Sequence, residues 1–94
     1  MRGHSPQARK VLLALAADTS RWRHGYDLSR ELGLRSGSLY PILIRLADRG
    51  FLEARWDKAA ERGPRRHEYR LTPAGVAETV VSTAAAARLR EAPA

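Results

Sequence analysis

Cysteine is absent from the 94 residues, which excludes disulfides, thiolate catalysis and cysteine-bound zinc, and removes the framework that small secreted domains rely on. Long apolar runs are missing as well. The longest, VLLALAA at 11 to 17, falls far short of a bilayer span and lacks the length and cleavage pattern of a signal peptide; a soluble cytoplasmic chain with no membrane partner is expected. No glycine-rich phosphate cradle follows a strand, and no serine or carboxylate pair has a catalytic partner. One small core also leaves little room for a substrate pocket, so the chain does not read as an enzyme. His4, His24 and His67 share no local metal-ligand spacing; neither metal nor cofactor is expected, and each imidazole reads as structural or surface. Acid is in deficit: 17 Lys plus Arg face 10 Asp plus Glu, a net charge of +7. That excess favours an anionic partner, nucleic acid or an acidic lipid surface.

What is present reads as one small domain. Ser5-Pro6 is a helix start, a capping side chain followed by the one helical position that welcomes proline. Val11, Leu12, Leu15 and Ala16 then share a face until Asp18-Thr19-Ser20 breaks the pattern. GYDLSRELG predicts a second, short helix closed by Gly33 in a left-handed conformation. Only Leu34, Arg35 and Ser36 separate that glycine from the next helical pattern, which is helix-turn-helix spacing. After Gly50 the period switches to two: Leu52, Ala54 and Trp56 alternate with Glu53, Arg55 and Asp57, and HEYRL at 67 to 71 offers a partner strand. Gly63-Pro64 marks a turn within the long connection KAAERGPRR. Thr72-Pro73 repeats the cap-plus-proline start and opens a last helix running to about Arg90. The order is helix, helix, helix, strand, wing, strand, helix, with residues 1–72 as the helix-turn-helix unit and 73–94 as a C-terminal helix and tail.

The third helix carries an anomaly, because Pro41 interrupts a periodic apolar run and proline removes a backbone hydrogen bond. Capping by Ser38 would put Pro41 in the first turn; capping by Ser36 would place it deeper and distort the helix start. In either case Leu39, Ile42, Leu43 and Leu46 face inward, while Gly37, Ser38, Pro41, Ile44, Arg45 and Asp48 face out. In a major groove Ile44 would touch a thymine methyl, with Ser38 and Arg45 on phosphates or base edges; otherwise Ile44 is an ordinary exposed apolar residue. Tyr40 suits either a phosphate contact through its hydroxyl or core packing of its ring. Tyr69, alternating with Leu71, reads as core, Trp56 as sheet packing, and Trp22 as a lid over the domain or a flat surface for a ligand.

Charge concentrates in the wing. From Lys58 to Arg70, five basic residues (Lys58, Arg62, Arg65, Arg66, Arg70) stand against Glu61 and Glu68, a net of +3 by 5 minus 2. Beside a helix-turn-helix, that run suits a phosphate backbone or a minor groove better than a merely solvated loop. On the last helix Val76, Val80, Ala84 and Ala87 form a stripe, with Val76 expected to turn inward and Ala84 to Leu89 to meet a second copy.

HGYDL at 24 to 28, SLYPILIRL at 38 to 46 and GPRRHEYRLTPAG at 63 to 75 together resemble the PadR family of winged-helix transcriptional repressors, over about residues 8 to 80. The resemblance implies a mostly α fold with a small β-hairpin, a winged helix-turn-helix whose third helix enters the major groove and whose wing follows the backbone or minor groove. It implies a homodimer built by helices from both ends of the chain, here Val11, Leu12 and Leu15 with Val80, Ala84 and Ala87. The DNA-facing set is then Arg35, Ser36, Ser38, Tyr40, Pro41, Ile44 and Arg45, joined by Lys58, Arg62, Arg65 and Arg66 of the wing. Double-stranded DNA and a second copy are the implied partners, with an unassigned small-molecule effector as a third. The sequence departs from the family pattern in the longer stretch DTSRWR at 18 to 23 and in having a single helix as its C-terminal part. The expected function is a repressor on a palindromic operator; the rivals are a winged-helix module for an acidic protein and, with no aromatic platform to support it, an RNA-binding protein.

Overall fold

Ser5 Oγ accepts the Ala8 N–H at 3.1 Å and so caps α1 (Pro6–Ala16). Residues 4–57 and 67–91 are described by the computed structural model. Along them α1 is followed by β1 (Arg23–His24), α2 (Gly25–Leu32), α3 (Ser36–Asp48), β2 (Leu52–Trp56), β3 (His67–Leu71) and α4 (Pro73–Glu91). Gly33 closes α2 at φ 66, the left-handed conformation that costs an L side chain about 1–2 kcal/mol. HEYRL is a strand over the residues the alternation predicts.

The inward faces assemble as the spacing requires. Val11, Leu12 and Leu15 of α1, Leu28 of α2, and Leu39, Ile42, Leu43 and Leu46 of α3 are buried together with Leu52, Tyr69 and Leu71 of the sheet. This corrects one expectation. Val11, Leu12 and Leu15 are 0–1% exposed because they fill the chain's own core, so they have no surface left for a second copy. The apolar residue that α1 does present is Leu13. Val76 turns toward the core, as expected.

The sheet has three strands rather than two, in the order β1-β3-β2. β3 pairs antiparallel with β2, setting Leu52 opposite Leu71, Ala54 opposite Tyr69 and Trp56 opposite His67. It also pairs with β1, which sets His24 opposite Glu68. A two-residue strand is too short to show a period, and DTSRWR therefore reads as loop until its pairing is seen. Because directly paired residues share a face, the sheet has an inner face continuing from Leu52 and Leu71 to Trp56 and His67, and an outer face carrying Glu53, Arg55, Glu68 and Arg70.

α4 is anchored at its first turn. Thr72 Oγ1 accepts the Gly75 N–H at 3.0 Å and donates to the Gly50 carbonyl at 2.6 Å, while the Thr72 N–H bonds the Phe51 carbonyl at 3.0 Å. Gly75 is required there, since a Cβ would stand 2.0 Å from the Phe51 oxygen. Thr79 is buried with its hydroxyl donating to the Gly75 carbonyl, whereas Val80 and Val81 stay 64% and 62% exposed.

Candidate nucleic-acid interface

The turn into α3 is short and pinned. The Leu34 N–H bonds the Ser29 carbonyl at 3.0 Å, Ser29 Oγ donates to the Leu34 carbonyl, and the Leu34 side chain packs on the core. Arg35, extended at φ −70 and ψ 150, is the N-cap. Neither Ser36 nor Ser38 caps the helix. The Arg35 carbonyl instead accepts from the N–H groups of both Ser38 and Leu39 at 2.9 Å. Ser36 is thus the first helical residue and Pro41 lies inside the helix, a turn deeper than a Ser38 cap would allow. Having no N–H, Pro41 leaves the Gly37 carbonyl without its helical donor. The amides of Ser36 and Gly37, which precede the first intrahelical bonds, face out of the positive end of the helix dipole. Space beside Gly37 is open, with no heavy atom within 4 Å of where its Cβ would be.

Outward residues of α3 are where the wheel puts them: Ser36, Gly37, Ser38, Pro41, Ile44, Arg45 and Asp48 are all exposed, and Ile44 is 58% exposed. Ile44 and Arg45 face different flanks. Tyr40, Ile44, Ala47 and Asp48 line a groove against Ala54, His67 and Tyr69 of the inner sheet face, whereas Arg45 looks toward the start of α1 beside Arg49, His4 and Ser5. Trp56 stacks on His67 with ring centroids 3.9 Å apart and stays half-exposed rather than packed. The root of the hairpin and the open edge of α3 thereby form one surface.

Tyr40 packs one part of its ring on α2 and leaves the rest open. Its ring rests on the backbone of Gly25, where a Cβ would meet Oη at 2.7 Å and Cε1 at 2.8 Å, yet it remains 37% exposed at the mouth of the groove. The glycine of HGYDL and the tyrosine of SLYPILIRL therefore form one contact between α2 and α3, which neither stretch reveals when read alone. Burial pushes the Tyr69 hydroxyl above its ordinary value of 10.0, and the neighbouring Tyr40 adds to the rise.

Lys58, Arg62, Arg65 and Arg66 lie outside the described residues. Arg70, counted with them in the wing charge, belongs elsewhere: it pairs with Glu53 at 3.0 Å and stacks on Trp22 at 4.4 Å on the outer sheet face, where Arg55 stacks on the same indole at 4.1 Å. Trp22 is thus a lid over the outer face of the sheet. Alongside, the pairing of β1 with β3 brings His24 together with Asp57 and Glu68, a grouping hidden from any search for local histidine spacing.

Three helices with a pinned turn, a three-stranded sheet and a hairpin rooted at the edge of α3 define a winged helix-turn-helix domain. The sequence matches the Transcriptional regulator PadR-like family over residues 12–80, and the chain belongs to that family. Among solved structures it is similar to a PadR-like transcription factor from Bacteroides fragilis, with 27% identity over 90% of this chain and 84% of that one, TM-score 0.75. It is also similar to the putative transcriptional regulator TA0346 from Thermoplasma acidophilum, with 25% identity over 89% of this chain and 82% of that one, TM-score 0.75. S. aureus MepR, solved as a DNA complex, shares the fold at 16% identity over 93% of this chain and 68% of that one, TM-score 0.74. A search of curated proteins found no match. Among the described residues no helix is long and apolar enough to cross a membrane.

Proposed function

We propose that the chain is a cytoplasmic, sequence-specific DNA-binding repressor acting as a homodimer on a palindromic operator. The observation that carries this reading is the open edge of α3, continuous through the Tyr40 and Ile44 groove with the root of a hairpin whose loop is strongly basic. The front of α3 offers free amides, two serine hydroxyls and a small residue, which lets backbone approach a phosphate. Ile44 supplies an apolar contact for a thymine methyl. Arg35 and Arg45 flank this edge, and Lys58, Arg62, Arg65 and Arg66 supply counter-charge along the backbone. MepR, of the same fold, is a DNA-bound precedent.

The homodimer uses the face of α4 that the core leaves uncovered. Val80 and Val81 are exposed there, and Ala84 and Ala87 follow within the next two turns. No effector is assigned.

Anisotropy titrations of duplex DNA at several salt concentrations test the reading. Each phosphate neutralised adds about 0.9 to the slope of log K against log salt, so a slope of several units and a preferred site selected from random duplexes are expected. A slope near zero, or stronger competition by an acidic protein than by duplex DNA, refutes it in favour of a protein-interaction module.

A further inference from the structure

We propose that His24, Asp57 and Glu68 form a binding site for a divalent transition-metal cation, with zinc(II) the best fit, at the root of the wing. The three donors come from separate segments. His24 is the residue before α2 and pairs across the sheet with Glu68 of β3, and Asp57 follows β2 at the point where the wing departs. Their donor atoms all lie within 4.8 Å of one another. His24 Nε2 stands 2.7 Å from Asp57 Oδ2 and 3.8 Å from Glu68 Oε2. Zinc bonds of about 2.0–2.2 Å at tetrahedral angles would hold such atoms roughly 3.3 Å apart. The first distance must therefore open, and the second close, by about half an ångström, and the two carboxylates, now within 4.8 Å of each other, must come to the same spacing through side-chain rotation.

The second oxygen of Glu68 and the second ring nitrogen of His24 already have neighbours of their own. Glu68 Oε1 accepts from Arg55 Nε at 2.8 Å, leaving Oε2 turned toward the imidazole. Asp27 Oδ2 lies 3.6 Å from His24 Nδ1, on the side of the ring away from the donors, where an outer carboxylate orients a metal-ligating histidine. Glu68 is itself 8% exposed, while the side chains of His24 and Asp57 keep 27% and 20% exposure, which leaves a path for the ion and a fourth position for water. One imidazole with two carboxylates suits zinc, cobalt or manganese rather than calcium or magnesium, whose sites are all-oxygen.

Bound metal would join the start of α2 to both strands of the hairpin. The site is independent of the DNA reading, and its test does not use DNA. Untagged, chelator-treated protein at neutral pH is titrated with cobalt(II), followed by its visible absorption, and then with zinc(II) as competitor. The expected result is saturable one-to-one binding with the intense band of a tetrahedral site, displaced by zinc(II). His24→Ala and Asp57→Asn are expected to abolish it. Asp27→Asn, at an exposed position that does not threaten folding, weakens it by about tenfold through loss of the outer carboxylate. His67→Ala, on the other sheet face, leaves it unchanged. Failure of the wild-type chain to bind stoichiometrically, or binding that survives in both ligand variants, overturns the assignment.

Discussion

Replacing Gly75 with alanine places a methyl group 2.0 Å from the Phe51 carbonyl oxygen and 3.0 Å from Leu71 Cδ2. Ordinary contact begins near 3.4 Å, so α4 must retreat by 1.4 Å, that is 3.4 minus 2.0, from a backbone atom that has no rotamer to escape into. Overpacking of this kind costs about 1–3 kcal/mol. The Thr72 N–H to Phe51 bond and the Thr72 hydroxyl to Gly50 bond, 3.0 and 2.6 Å long, lie in the same contact and weaken with it, at about 1 kcal/mol each. Alanine returns up to about 1 kcal/mol through its better helix propensity. The net expectation is a loss of about 2–4 kcal/mol from a domain whose total stability is of order 5–14 kcal/mol. In a chain of this size each kcal/mol moves Tm by roughly 4–8 °C. Urea titrations followed by circular dichroism read the change directly. Gly37→Ala is the control, because open space surrounds residue 37 and alanine there should stabilise by about 0.5–1 kcal/mol. A Gly75→Ala protein within about 0.5 kcal/mol of wild type would refute the claim that α4 is locked against the start of β2.

Gly25→Ala displaces the end of the Tyr40 ring instead of a backbone atom, so stability is expected to stay within about 1 kcal/mol. Duplex affinity should fall about tenfold, the worth of one contact near 1.4 kcal/mol; unchanged affinity by anisotropy would mean that Tyr40 is not part of the interface. The raised Tyr69 pKa means that the folded state holds this proton more tightly than the unfolded chain. Its contribution is therefore intact below about pH 10 and lost as pH rises through the folded-state value. Tyr69→Phe should flatten that alkaline decline in urea midpoints, and an unaltered slope counts against the burial argument. Val80→Asp, on the uncovered face of α4, should shift sedimentation from dimer to monomer while leaving helix content intact; a dimer that persists moves the interface elsewhere.

Much of this architecture is legible from local patterns. Ser5-Pro6 and Thr72-Pro73 mark helix starts through chemistry confined to one turn, and Gly33 marks a helix end through its φ. The inward set of α3 follows from helical period alone, which is insensitive to where the helix begins. The cap of α3 was not legible. Serine is the better cap by propensity, but the tight turn gives the position to Arg35 and leaves both serines inside the helix. Residues brought together by strand pairing were equally hidden. β1 has too few residues to show alternation, so neither Arg55 and Arg70 as the partners of the Trp22 lid nor the meeting of His24 with Asp57 and Glu68 could be read along the chain. For α1, spacing identified an apolar stripe but not what covers it: Val11, Leu12 and Leu15 went to the chain's own core, while Leu13 remained exposed.

The two tryptophans lie on opposite faces of the sheet, Trp56 stacked on His67 beside the α3 groove and Trp22 stacked on Arg55 and Arg70 behind it. They report separately on the central claim. In Trp22→Phe protein, fluorescence comes from Trp56 alone, and in Trp56→Phe protein from Trp22 alone. A selected duplex is expected to change Trp56 emission in a saturable titration and leave Trp22 emission nearly constant. A response from Trp22 with none from Trp56 would place the nucleic acid on the wrong face of the sheet and contradict the account.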